Sequence, residues 1–505
     1  MKRIAIFLLL TAFYKAGFAQ ERATMLVNDT TGQTISRYIY GQFAEHLGRC
    51  IYDGFFRNGK IRPDVVDAMK EIKVPLLRWP GGCFADNYHW QDGIGKKSKR
   101  PAIVNTQWGM VTDDNSFGTD EFMKLCSLIG CDPYVAGNVG TGTPAEMESW
   151  VEYLNYDGPS AMAKLRAKNG HPEPYHVPFF GVGNESWGCG GRMLPEEYAN
   201  KYRLYANFCK SYPGSPLKRI VSGAQDDDYH WTEVMMTHIP PWEMQGIGVH
   251  YYTLVDGDEG KGPATGFNES QYFHALQNAL KMDQIVSQHA AIMDKYDPQK
   301  RIWLIVDEWG ISLDPEQGTN PDFHYQQNSL RDALIAASTL NIFNNHCDRV
   351  KMANLAQAVN VLQALVLTQG DQMVKTPTWY VFDLYKGHQD AQWLPLNLQS
   401  PDYHFKNESI PAVNASASMD KTGTVHITIV NLDPQHSIKV QAILPAAAQH
   451  KIASGQVLTS AHFDDINTFD EPLKVRNVPF NGGAINGQQL SAVLPPQSVV
   501  LIELK

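Results

Sequence analysis

From Tyr38 onward one pattern recurs: a short apolar run, a polar or glycine-rich tip, then a stretch with helical periodicity. Eight runs fit the strand part, at Tyr38–Phe43, Pro75–Trp79, Pro133–Ala136, Pro178–Val182, Arg219–Ser222, Ile247–Tyr251, Ile302–Val306 and Val350–Leu355. Their apolar residues are consecutive rather than alternating, which is how strands buried on both faces of a parallel sheet read. Helical stretches lie between most of them, among them Thr119–Ile129, Pro144–Leu154, Pro195–Lys210, Glu269–Asp294 and Tyr325–Asn344. Gly118-Thr119-Asp120-Glu121 gives the first of these a capping residue and early acids. So many strand–helix alternations in one stretch favour an α/β fold of the (β/α)8 TIM-barrel kind over a doubly wound sheet. Right-handed crossovers then follow without further devices.

After about Tyr385 the helical periodicity stops. Alternating strands take over at Thr424–Asn431, Ser437–Ile443, Gln456–Thr459 and Ser498–Leu504, the pattern of a C-terminal antiparallel β-sandwich domain. A chain of 505 residues is too long for one ordinary core, so two domains agree with its length. The expected division is a signal peptide over 1–19, an N-terminal strand within 20–37 that joins the sandwich, a catalytic barrel over 38–384 and the sandwich over 385–505. Lys2 and Arg3 precede the apolar run Ile4 to Phe13, and Gly17-Phe18-Ala19 fits a small-residue cleavage site. That run is too short for a membrane anchor, and no Cys follows to carry a lipid. Export to the periplasm or medium is therefore expected.

Net charge is −10 with no basic run, which excludes nucleic acid as a partner. Seven cysteines are scattered without zinc-like spacing, so neither a metal nor another cofactor is expected. Export would permit a disulfide, but no pairing is assignable; Cys126 and Cys131 read as core thiols.

In a barrel of this type the active site lies at the C-terminal ends of the strands. The tips read Glu45-His46, Arg78 with Gly81-Gly82, Asn138, Asn184-Glu185, Gln225-Asp226, His250-Tyr251-Tyr252, Asp307-Glu308 and Gln357. A mouth this polar suits a hydroxyl-rich ligand. Eleven Trp and 22 Tyr supply faces for sugar stacking, although most belong to the core. Cleaving a glycosidic bond takes one carboxyl to protonate the leaving oxygen and another to attack or stabilise the sugar carbon. Glu185 and Glu308, on the fourth and seventh strands, face each other across the mouth. Asn184 is placed to bond a sugar hydroxyl, and Tyr252 or His250 to hold the nucleophile. The bland reading of either Glu alone is a solvated acid beside a turn. Asp226-Asp227-Asp228 reads as such a turn.

Several blocks resemble glycoside hydrolase family 51. They are Gly41-Gln42-Phe43-Ala44-Glu45-His46-Leu47-Gly48-Arg49, Leu77-Arg78-Trp79-Pro80-Gly81-Gly82, Tyr88-His89-Trp90-Gln91-Asp92-Gly93-Ile94-Gly95 and Gly118-Thr119-Asp120-Glu121-Phe122. Ala136-Gly137-Asn138-Val139-Gly140-Thr141-Gly142-Thr143, Gly183-Asn184-Glu185 and Asp307-Glu308-Trp309 follow in the same order. The resemblance implies a retaining α-L-arabinofuranosidase acting on arabinose-containing oligo- or polysaccharides, and an association into homo-oligomers. It places Glu185 as acid/base and Glu308 as nucleophile. Glu45, Arg78, Asn184, His250, Tyr252 and Gln357 fall at positions that contact arabinose or the nucleophile. One departure stands out: many members carry Asn after Pro-Gly-Gly, where this chain has Cys83, and a thiol substitutes poorly for an amide. The competing readings are a barrel glycosidase for β-xylosides or β-glucans and a catalytically silent carbohydrate-binding protein.

Overall fold

Eight parallel strands close on themselves in the computed structural model, which describes residues 21–257, 260–445 and 451–505. In chain order the barrel strands are Gly41–Phe43, Leu76–Trp79, Asp132–Gly137, Phe179–Val182, Lys218–Gln225, Gly246–Thr253, Trp303–Ile311 and Val350–Leu355. Each pairs with the next, and the eighth returns to the first through Asn354 opposite Gly41. The expected (β/α)8 barrel is therefore borne out. Leu76, Tyr134, Phe179, Ile220, Ile305 and Met352 form one buried cluster from the early halves of six strands. They fill the barrel interior beneath the polar tips, so the barrel is packed and only its upper end is open for chemistry.

Two strands differ from the sequence reading in ways that matter for the site. The first is shorter, because Arg37–Tyr40 winds into a 3-10 turn whose start is capped by Ser36. The seventh runs on to Ile311, since Glu308 to Ile311 pair with His250 to Thr253 of the sixth. Glu308 thus sits inside a hydrogen-bonded strand rather than on a loose tip. Helices shift at their ends: Pro195–Ala206 stops earlier, and Leu330–Asn345 starts later, behind a Ser329–Asp332 capping box.

That last helix is buried along nearly its whole length, as expected of a helix enclosed on all sides. Two of its buried asparagines bond to both neighbours. Tyr40 of the barrel donates to Asn344 at 2.7 Å, Ser416 and Thr428 donate to Asn341 at 2.7 and 2.8 Å, and Asn344 donates to Ser416 at 3.0 Å. Most of the C-terminal strands fall in two sheets, and Asp402–Phe405 pairs with Glu408–Pro411 as a separate hairpin. A six-stranded antiparallel sheet contains Val413–Met419, Val425–Asn431, Ser498–Leu504 and Ile452–Leu458. A five-stranded sheet contains Ile438–Ile443, and Arg22–Val27 pairs with that strand in parallel and with Leu396–Gln399 antiparallel.

The proposed signal segment, 1–19, lies outside the described residues. Among the described residues no helix is long and apolar enough to cross a membrane. Cys126 and Cys131 carry free thiols, whereas Cys83 and Cys189, which the sequence left unpaired, form a disulfide. Asp228 of the acidic run caps the helix Tyr229–His238 by accepting the Trp231 N–H.

Candidate active site

Six of the eight residues singled out from the strand tips (Glu185, Glu308, Arg78, Asn184, His250 and Tyr252) meet in one network of hydrogen bonds and ion pairs, and Glu45 and Gln357 form a second pair beside it. Glu308 accepts hydrogen bonds from Arg78 Nη1 at 2.7 Å and from the Tyr252 hydroxyl at 2.8 Å. Arg78 reaches on to Asn184 Oδ1 at 2.6 Å, so one buried guanidinium joins the seventh strand to the fourth. His250 Nδ1 lies 2.9 Å from Glu185 Oε1 and 3.6 Å from Glu308 Oε2, while Nε2 lies 3.1 Å from Asp307 Oδ1. Oxygens of Glu185 and Glu308 and a nitrogen of His250 all fall within 4.8 Å of one another.

Glu45 forms the opposite wall. Its carboxylate accepts from the Gly82 and Phe84 N–H groups, each at 3.0 Å, from Trp108 Nε1 at 2.9 Å and from Gln357 Nε2 at 2.8 Å. Burial and the charge of Glu308 push it up to about 7 in spite of these donors. Burial alone would lower the His250 imidazole, but the charges of Glu308 and Asp307, with hydrogen bonds to Asp307 and Glu185, hold it well above its usual range. It is therefore a cation placed between carboxylates. For Asp307 the burial penalty is outweighed by His250, Arg78 and the Tyr134 hydroxyl, and its carboxyl is held below the usual range. Burial, then the nearby charges of Glu308 and Glu185, keep the Tyr252 hydroxyl protonated and able to donate.

The two glutamates differ in access to water. The Glu308 side chain is 7% exposed and that of Glu185 is 17%. Glu185 also occupies a left-handed backbone conformation, with φ of 39°, at the turn after the fourth strand. Such conformations in a non-glycine residue persist where the surroundings enforce them. Here Asp86 does so: its buried carboxylate accepts N–H groups of Asn184 at 2.9 Å, Val139 at 2.7 Å and Gly140 at 2.9 Å. Gly82 is needed for space, since a Cβ there would stand 2.6 Å from Glu308 Oε1.

Sequence reasoning missed Asp86, Trp108, Asp307 as a partner of His250, and Tyr134 beneath them. Trp108 comes from a hairpin formed by Ile103–Asn105 and Val111–Asp113 after the second strand. Its ring meets His324 edge-on at 5.3 Å. Two other tip residues serve the scaffold. His46 is buried against Asp113 at 2.6 Å and stacks on Phe84, and Asn138 accepts the Thr141 and Gly142 N–H groups.

Residues 68–261 match the model of the alpha-L-arabinofuranosidase 1 domain, and residues 307–498 that of the alpha-L-arabinofuranosidase C-terminal domain. An intracellular exo-alpha-L-arabinofuranosidase of Bacteroides ovatus is 46% identical over 508 residues, covering 98% of both chains. The crystal structure of the GH51 arabinofuranosidase from Xanthomonas axonopodis pv. citri aligns with a TM-score of 0.94 at 45% identity, over 96% of this chain and all of that one. The chain belongs to glycoside hydrolase family 51. The arabinose complex of the Thermotoga maritima alpha-L-arabinofuranosidase aligns with a TM-score of 0.82 at 30% identity, over 95% of this chain and 99% of that one. A family 44 xyloglucanase from Paenibacillus polymyxa, at 14% identity and a TM-score of 0.62, shares the fold alone.

The resemblance read from the motifs is thus borne out, whereas the expectation of export is not. The Bacteroides ovatus relative matches nearly end to end and is an intracellular enzyme, which points away from export. Export rested only on the charge, apolar run and small residues of the first twenty positions. That reading is withdrawn.

Proposed function

We propose that this family 51 chain is a retaining exo-α-L-arabinofuranosidase that releases terminal α-L-arabinofuranosyl residues from arabinose-containing oligo- or polysaccharides. The observation that carries the mechanism is the approach of Glu185 and Glu308, whose nearest oxygens fall within 4.8 Å. Retention goes with carboxyl groups about 5–5.5 Å apart, and inversion needs about 6.5–9.5 Å to admit a water.

Glu308 attacks the anomeric carbon. Arg78 and Tyr252, the donors on its carboxylate, fix its direction and keep it acceptor-only. Glu185 protonates the departing oxygen and, once the glycosyl ester has formed, takes a proton from the incoming water. Its greater exposure suits a group that must exchange protons twice in a cycle. His250 is the positioning residue between them, with Asp307 behind it as the counter-charge. Asn184, fixed by Arg78, presents an amide to a sugar hydroxyl, where a hydrogen bond that strengthens as the ring becomes cationic lowers the barrier. Glu45, with Gln357 and Trp108 on its carboxylate, closes the far side of the sugar.

A panel of aryl glycosides with detection of the first-formed anomer tests this. The expected result is turnover of aryl α-L-arabinofuranoside with retained configuration. Preference for aryl β-xyloside, or an inverted first product, would overturn it.

A further inference from the structure

The disulfide between Cys83 and Cys189 joins residues 106 positions apart, and both sulfurs lie against the carboxyl assigned here as acid/base. Cys189 Sγ is 3.2 Å and Cys83 Sγ 3.7 Å from Glu185 Oε2. Asn184 Nδ2 approaches Cys189 Sγ at 3.9 Å. We propose that this disulfide is a reductant-sensitive positioning element for Glu185: closed, it holds the carboxyl in its proton-donating place; opened by a dithiol, it lets that carboxyl turn away. The inference rests on the arabinofuranosidase reading and adds to it a dependence on the redox state of the site.

Two features couple the bridge to the carboxyl. First, Cys189 sits in a turn folded onto Glu185 itself, because the Gly188 and Gly190 N–H groups both donate to the Glu185 carbonyl, at 2.7 and 3.0 Å. A Cβ on Gly190 would stand 1.9 Å from the Asn184 carbonyl, so the turn has no slack. Second, Cys83 extends the Pro80-Gly81-Gly82 segment, whose Gly82 lies against Glu308 and whose Gly82 and Phe84 N–H groups are held by Glu45. The bridge thus ties the turn of the acid/base to the segment that covers the nucleophile.

The chemistry at the sulfurs changes with the bond. A disulfide sulfur has no proton to give, so the edge facing Glu185 is a water-excluding wall that leaves its carboxyl to His250 and the substrate. A dithiol such as dithiothreitol passes two electrons and two protons to the bridge, giving two protein thiols and a cyclic disulfide on the reagent. Each new S–H is then a donor beside the carboxylate and competes for it. Both cysteines are half-buried, so the reagent has access.

The test uses the full chain, oxidised and then treated with dithiothreitol, with free thiols counted by mass spectrometry after alkylation. Five free thiols mark the closed form, and all seven cysteines react in the open one. A misplaced acid hurts substrates that need their leaving group protonated. On reduction, kcat/KM for an alkyl α-L-arabinofuranoside should fall about tenfold or more, while that for the 2,4-dinitrophenyl compound changes less than about threefold. Reoxidation should restore the ratio. The Cys83→Ala/Cys189→Ala variant should show the reduced ratio and ignore dithiothreitol. Seven free thiols with an unchanged ratio would overturn the inference, and so would equal losses on both substrates, the mark of a purely structural staple. Oxidised protein inactive on both compounds would instead sink the arabinofuranosidase reading, and this inference with it.

Discussion

Replacing Gly82 by Ala adds one methyl group at the most crowded point of the site. Gly82 does not occupy the left-handed backbone region, so its backbone accepts an alanine and only space is at issue. The new Cβ would stand 2.6 Å from Glu308 Oε1 and 3.3 Å from Asn184 Nδ2. A carbon–oxygen contact relaxes at roughly 3.3 Å, so either the loop or the carboxylate must yield by roughly 0.7 Å. The loop is held by Glu45 through the Gly82 and Phe84 N–H groups, and the carboxylate by Arg78 and Tyr252. A displacement near 1 Å at the reacting atoms costs about 100-fold in rate, and overpacking costs about 1–3 kcal/mol of stability. Gly82→Ala should therefore lose about 30- to 100-fold in kcat/KM, or roughly 2–3 kcal/mol of transition-state stabilisation, yet remain folded. Because the nucleophile is what moves, the loss should be similar for aryl and alkyl arabinofuranosides. Circular dichroism checks the fold and initial rates check the loss. A folded variant within threefold of the parent would refute the close approach of this loop to Glu308.

Glu185→Ala should retain kcat/KM on 2,4-dinitrophenyl arabinofuranoside within about tenfold but lose about 100-fold or more on alkyl arabinofuranosides, as removal of a general acid predicts; equal losses would contradict the assignment. Tyr252→Phe removes one of the two hydrogen bonds to Glu308, and a bond to a charged group is worth about 1.5–3 kcal/mol, so kcat/KM should fall about 10- to 150-fold. Steady-state rates unchanged by that substitution would show that the hydroxyl does nothing for the nucleophile. For Glu45, pushed up to about 7 in the fold against about 4.3 unfolded, the sign is that of a raised carboxyl. Its contribution to stability is complete below about pH 4 and is lost as pH rises through about 7. Urea unfolding at pH 5 and pH 8 should show the parent losing about 2–3 kcal/mol more than Glu45→Gln between the two, and equal losses would refute the raised value.

Much of this architecture is legible in the sequence because a parallel barrel writes itself locally. Each buried strand is an apolar run, and its tip, such as Asn184-Glu185 or Asp307-Glu308, follows within a residue or two. The blurred parts depend on pairing between segments. Nothing in Trp309-Gly310-Ile311 announces that the seventh strand continues there; the register with Tyr251 to Thr253 decides it. The turn at Arg37–Tyr40 was hidden inside an apolar run for the same reason. Asp86 looks like an ordinary loop acid, and only the folded chain brings it under the Asn184 N–H. Its charge among apolar neighbours was a signal, but one without a partner in sequence. The Cys83–Cys189 pair was equally out of reach, because seven cysteines admit many pairings. The N-terminal segment misled in the opposite direction, since its composition fits a leader while the Bacteroides ovatus relative is intracellular.

The covalent step on Glu308 is the point on which the catalytic account turns. Incubating the full chain with a 2-deoxy-2-fluoro arabinofuranosyl compound bearing a dinitrophenyl leaving group, followed by peptide mass mapping, reads that step directly. One sugar bound as an ester to Glu308, with activity lost in step, is the predicted result. A label on Glu45, Glu185 or any other carboxylate, or complete turnover with no label and an inverted product, would contradict it.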